Sequence, residues 1–141
     1  MNGKLDVLIV DDESDLLEEL TELFELRGCS ARGVPRVRDA LRELEEATER
    51  VLVICDFQLP GRSGLDFLRI LAERPHLQKK VCRFIIMTGH SDLDQHADIL
   101  VRDFGASVLR KPVSIQKLLP LVETTDCIDW RPEPSAAASQ S

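Results

Sequence analysis

Val51-Leu-Val-Ile-Cys-Asp56-Phe-Gln-Leu-Pro60-Gly61-Arg-Ser-Gly64 is the stretch on which the fold turns. Four apolar residues, two of them Val and one Ile, lead through Cys55 into an aspartate and then into a Pro/Gly cluster. A short run that is apolar on both faces fits a strand in the middle of a parallel sheet, and the cluster ends it. Asp56 therefore stands at the carboxyl end of a central strand, on the rim where open α/β sheets bind ligands. Taken alone, an aspartate here serves equally well as the cap of a helix starting near Ser63 or Gly64. The other strand ends decide between the two.

Towards the amino terminus, Leu5 to Val10 reads as a strand that runs into Asp11-Asp12-Glu13. From Ser14 the period changes. Leu16, Leu17, Leu20, Leu23 and Phe24 share one helical face, Glu18, Glu19, Glu22 and Glu25 the other, and Gly28 marks the stop. Cys29 to Val34 is a weak second strand, with Arg32 and Gly33 lowering its β-propensity. After Pro35, Val37, Ala40, Leu41 and Leu44 repeat at helical spacing to about Thr48.

Towards the carboxyl terminus, Leu65, Leu68 and Leu71, with Phe67, predict a helix that ends before Pro75. Val81 to Met87 is a second buried strand, closed by Thr88-Gly89. A helix over about 92–103 and a short strand, Ser107 to Arg110, follow, and Lys111-Pro112 closes that strand. Ser114 can cap a last helix bearing Ile115, Leu118, Leu119 and Val122. Pro120 lies inside that helix and removes a backbone bond, so the helix is expected to be short or kinked. The tail from Arg131 is small and polar, and disorder is expected there.

The chain is one domain long, at 141 residues, and carries a net charge of −7. That balance argues against unaided binding to nucleic acid or to an anionic membrane. Cys29, Cys55, Cys82 and Cys127 show no metal-ligand spacing and read as reduced thiols of a cytoplasmic protein. No stretch has the length and apolarity of a membrane span or a signal peptide. His90 and His96, six apart without an acidic or Cys partner at ligand spacing, read as solvated positions.

Strand alternating with helix five times gives an α/β fold, a parallel sheet with helices on both faces. Its carboxyl rim collects Asp11 and Asp12, Asp56, Thr88 and Lys111. At an effective dielectric of about 20, each carboxylate pair at ~4 Å is repelled by on the order of 4 kcal/mol. Lys111 offsets part of this, and a hard divalent cation with phosphate as partner offsets the rest. Thr88, beside small Gly89, offers a hydroxyl to phosphoryl oxygens. A nucleophilic carboxylate among these groups can accept a phosphoryl group.

Val-Leu-Ile-Val-Asp11-Asp12-Glu13, the Asp56 to Gly64 run, Met-Thr88-Gly89-His90 and Lys111-Pro112-Val occur in an order that resembles a response-regulator receiver domain. The resemblance covers about 4–124, leaving 125–141 as a tail and no output domain. It implies the flavodoxin-like strand order 2-1-3-4-5. It further implies the chemistry of bacterial two-component signalling. Asp56 would take a phosphoryl group from a sensor histidine kinase or a histidine phosphotransfer protein. Asp12, Asp56 and the Gln58 backbone carbonyl would ligate Mg²⁺ (or Mn²⁺), with Asp11 acting through water. Thr88, Gly89 and Lys111 would bind the phosphoryl group, Thr88 moving as part of a switch read by a downstream protein. The chain would be a phosphoacceptor rather than an enzyme, and a homodimer is compatible with the resemblance.

Two features depart from the family pattern. The aromatic that usually stands three residues before the lysine is replaced by Val108, and the chain has no tyrosine. The 105–111 segment is one residue short, and the segment after Thr88 is correspondingly long. A phosphatase of the haloacid-dehalogenase type also combines Asp, Thr and Lys around Mg²⁺. It needs an acid two residues after its nucleophile, where this chain has Gln58, and room for a cap domain. A flavin or nucleotide binder needs a phosphate loop where Asp11-Asp12-Glu13 stands.

Overall fold

The computed structural model describes residues 6–89 and 102–123. Its main sheet contains β1 (Asp6–Val10), β2 (Ser30–Val34), β3 (Val51–Asp56), β6 (Val81–Thr88) and β7 (Ser107–Arg110), every neighbouring pair parallel. The order across it is β2-β1-β3-β6-β7. Counting only these five strands, that is 2-1-3-4-5, the flavodoxin-like order. All six residues of β3 are buried, which is why its sequence carries no polar alternation.

The side chains of β3 separate two apolar layers. Val51, Val53 and Cys55 face α2 (Val37–Glu46) and α3 (Gly64–Ala72), where Ala40, Leu44, Leu65, Leu68 and Leu71 are buried. Leu52 and Ile54 face the opposite way, towards Leu20 and Phe24 of α1 (Ser14–Leu26) and Leu118 of α5 (Ile115–Glu123). Each such side chain contributes about 1.5–3 kcal/mol by leaving water. Phe67 meets Phe84 edge to face, with ring centroids 5.3 Å apart.

α1 ends where Gly28 stands. The Gly28 amide donates to Glu25 O and the Cys29 amide to Phe24 O, the paired bonds of a Schellman turn. The poor strand former in β2 has a steric reason. A Cβ on Gly33 would lie 2.9 Å from Leu17 Cδ2, so the glycine lets α1 settle against the sheet edge. Ser63, not Asp56, caps α3: its hydroxyl accepts from the Asp66 amide, and the Asp66 carboxylate accepts from the Ser63 amide. Ser114 caps α5, accepting from the Lys117 amide at 3.3 Å.

Several features differ from the sequence expectation. α2 stops at Glu46, two residues early, because Ala47 turns to extended backbone. A two-residue hairpin, β4 (Gln58–Leu59) with β5 (Arg62–Ser63), turns through Gly61 at φ 78°. A single turn, α4 (Pro75–Gln78), starts on Pro75, a residue suited to the first helical position. Pro120 lies inside α5, a helix of nine residues, as expected, whereas the sequence does not mark the Lys111-Pro112 bond as cis. Leu5, most of the helix expected over 92–103, His90, His96 and the tail lie outside the described residues. Among the described residues, Cys29, Cys55 and Cys82 are free thiols, the last two buried. No helix among them is long and apolar enough to cross a membrane.

Candidate functional site

The carboxyl ends of β1, β3, β6 and β7 meet on one rim. Asp11 follows β1 directly, and its amide donates to Val34 O at 3.0 Å, extending the parallel ladder by one bond. Its side chain is fully buried. Oδ1 accepts from the Glu13 amide at 2.8 Å, and Oδ2 accepts from Lys111 Nζ at 3.2 Å. Asp12, next in the chain, is exposed on the cleft wall.

Asp56 ends β3 and is 9% exposed. Its Oδ2 accepts from Lys111 Nζ at 3.2 Å, and Oδ1 has a long contact of 3.4 Å with the Gln58 amide. The turn that follows is tight: the Phe57 amide donates to Met87 O, and the Gly64 amide to Phe57 O. Gly64 is required by that closeness, since a Cβ there would lie 2.9 Å from Ile86 Cδ1 and 3.0 Å from Asp56 O. Thr88, 4% exposed, ends β6, and its carbonyl accepts from the Lys111 amide at 2.6 Å. A cleft of about 500 Å³ opens over these groups, walled by Asp12, Asp56, Gln58, Thr88, Gly89 and Lys111.

The electrostatics follow from burial and crowding. Burial pushes the Asp56 carboxyl above the usual carboxylate range. The Lys111 charge opposes this, Asp11 reinforces it, and hydrogen bonds from Lys111 and the Gln58 amide again oppose it. The upward push wins. For Lys111, burial favours the neutral amine, but the Asp56 and Asp11 charges and their hydrogen bonds outweigh it and hold the pKa above the ordinary lysine value. Cys55 faces away from the cleft, and its thiol donates to Asp56 O at 3.2 Å. Burial and the neighbouring Asp56 and Asp11 charges push that thiol far up, so it is an inert structural cysteine, as strand alternation implies.

One carboxylate oxygen from each of Asp11, Asp12 and Asp56 lies within 4.8 Å of the others. Around an octahedral Mg²⁺, with bonds of about 2.0–2.1 Å, ligand oxygens are separated by roughly 3–4 Å. Small side-chain rotations close the difference. Three carboxylates, Asp11, Glu13 and Asp56, contact the Lys111 ammonium and Asp12 adds a fourth negative charge beside Asp11 and Asp56, so the donor set and its charge both fit a hard divalent ion.

All the rim residues expected from the sequence meet here, except that Val108 does not reach the cleft. It lies on β7 opposite Ile86, half-buried against the α2/α3 layer. Sequence reasoning missed Glu13 as a partner of Lys111, although Oε1 accepts from Nζ at 3.3 Å. Nothing in the local pattern of Asp11-Asp12-Glu13 signals a contact with a residue at the far end of the chain.

Comparison with known proteins agrees with this geometry. The profile of the response regulator receiver domain matches residues 7–123. The probable chemotaxis protein CheY of Rhizobium etli is 35% identical over 129 residues, 85% of this chain and 91% of that protein. The phosphoglycerate transport system transcriptional regulatory protein PgtA of Salmonella typhimurium is 30% identical over 87% of this chain. The match spans only 28% of that longer protein. Among solved structures, a response regulator receiver domain protein from Clostridium thermocellum superposes with a TM-score of 0.71 at 31% identity, covering 96% of each chain. The chain belongs to the response-regulator receiver domain family.

Proposed function

We propose that Asp56 accepts a phosphoryl group from a phosphohistidine on a sensor kinase or phosphotransfer protein, and that the phosphorylated form is read by a downstream protein. The observation that carries this is the placement of the Asp56 carboxylate: at the end of the central strand, 3.2 Å from the Lys111 ammonium and open to the cleft. An Asp56 oxygen attacks phosphorus as the P–N bond breaks, and the bonding pair returns to the imidazole nitrogen. Lys111 and the Thr88 hydroxyl would donate hydrogen bonds to the phosphoryl oxygens. Asp12, Asp56 and the Gln58 carbonyl would hold Mg²⁺, which offsets negative charge on the phosphoryl group when bound. Asp11, fully buried and held by the Glu13 amide and Lys111, would act through water.

The chain is a phosphoacceptor that assists its own phosphorylation, not a phosphatase with turnover. Gln58, where a haloacid-dehalogenase phosphatase keeps its acid, is an amide, which donates hydrogen bonds but does not serve as a general acid at neutral pH. With Val108 packed in the sheet, the switch rests on Thr88 and the loop after it. Asp56→Asn is expected to abolish labelling by acetyl phosphate in Mg²⁺. Undiminished, acid-stable labelling of the variant would reject Asp56 as acceptor.

A further inference from the structure

A second cleft, of about 270 Å³, lies beside the first, lined by Arg36, Val37, Arg38, Pro60, Gly61 and Arg62. Pro60 belongs to both walls, so the two clefts share a lip. The three arginines are exposed, and none of their guanidinium groups forms an ion pair or hydrogen bond with another described residue, whereas Arg32 is paired with Glu43 at 3.3 Å. Unpaired cations gathered in one place are unexpected in a chain with 25 acidic and 18 basic residues. Two of them also stand where local stability disfavours them. Arg36 is the N-cap of α2 and Arg38 lies in its first turn, beside the positive end of the helix dipole. Neither arginine is there to hold the helix together.

We infer that this cleft docks an acidic segment of the protein that brings the phosphohistidine to Asp56, an inference that rests on the function proposed above. Planar guanidinium groups presented from α2 and the β4–β5 hairpin suit several carboxylates on a short stretch of chain. A long polyanion such as nucleic acid or a membrane surface is disfavoured, because it would overrun the lip onto Asp12 and Glu13. A protein partner reaching over Pro60 with its histidine would stand at the edge of the neighbouring cleft. Its acidic segment there counteracts the repulsion that a net charge of −7 exerts on an incoming phosphoryl group.

The test compares the parent with Arg36→Glu/Arg38→Glu/Arg62→Glu, using as donors acetyl phosphate and a panel of purified, histidine-phosphorylated sensor kinases from the source organism. For the fastest protein donor, kcat/KM is expected to fall about tenfold or more at low salt. The difference should shrink in about 1 M salt, where the screening length is ~3 Å. Acetyl phosphate labelling should be unchanged, and the corresponding triple lysine variant should retain most of the parental rate. Transfer from protein donors at the parental rate in the glutamate variant would overturn the inference. So would a panel in which no kinase transfers to the parent although acetyl phosphate labels Asp56. Failure of acetyl phosphate to label the parent would instead remove the assignment of Asp56 itself.

Discussion

Replacing Asp56 by its neutral isostere should stabilise the protein when no divalent ion is present. The Asp11 and Asp56 oxygens lie within 4.8 Å, a repulsion of about 3.5 kcal/mol at an effective dielectric of ~20. The Lys111 contact at 3.2 Å contributes an attraction of about 5 kcal/mol on the same scale. Desolvating the carboxylate adds an unfavourable contribution of several kcal/mol. The upward displacement of the Asp56 pKa fixes the sign of the balance: in the folded protein the charged form is disfavoured. Lys111 keeps Asp11 and Glu13 as partners in the variant. Asp56→Asn is therefore expected to gain on the order of 1 kcal/mol at pH 7 in EDTA, the usual size of a single-substitution effect. Because the folded state holds this proton more tightly than the unfolded state, parental stability falls as pH rises from the unfolded to the folded pKa of Asp56. The advantage of the variant is accordingly absent below that window and full above it. Saturating Mg²⁺ should reverse the order, since an ion at 100 times its dissociation constant adds about 2.7 kcal/mol to the form that binds it. Urea unfolding followed by circular dichroism, in EDTA and in Mg²⁺ at two pH values, measures all of this. A variant less stable than the parent in EDTA at pH 7 would refute the reasoning.

Asp12→Ala, at an exposed position, should change stability in EDTA by no more than about 0.5 kcal/mol yet weaken Mg²⁺ binding and phosphorylation together, as read by calorimetry and acetyl phosphate labelling. Gly64→Ala should destabilise by about 1–3 kcal/mol in urea titrations, because its Cβ would press on Ile86 and on the Asp56 carbonyl. Beryllofluoride with Mg²⁺ should shift amide resonances most around 88–92 and little at 107–111. The opposite pattern would return the switch to β7 and α5.

How far the sequence reveals this molecule depends on burial. β3 and β6 are evident because they are buried on both faces, Arg83 of β6 alone being half-exposed, so composition marks them. β2 is an edge strand, and its faint signal reflects Gly33, kept small for Leu17. The order of strands across the sheet is not written in periodicity, and the expectation came from resemblance to a family. The β4–β5 hairpin and α4 are too short to show any period, although Ser63-x-x-Asp66 is a readable capping signal. At the site, alternation of strand and helix is enough to place Asp11, Asp12, Asp56, Thr88 and Lys111 on one rim. The Glu13–Lys111 contact depends on where a long, flexible lysine comes to rest, which no spacing encodes.

The bond from the Lys111 amide to the Thr88 carbonyl gives the two halves of the rim unequal stiffness. Hydroxyl and ammonium are mounted on adjoining strands tied at their tips, which keeps the two backbones in register. Asp12 has no such brace and stands exposed on the turn between β1 and α1. Metal ions of slightly different radius bound as proposed would therefore be accommodated by movement of Asp12, leaving the spacing of the phosphoryl-facing groups intact. Tolerance of Mn²⁺ in place of Mg²⁺ would be a property of that compliant side, and fidelity of phosphoryl geometry a property of the braced one.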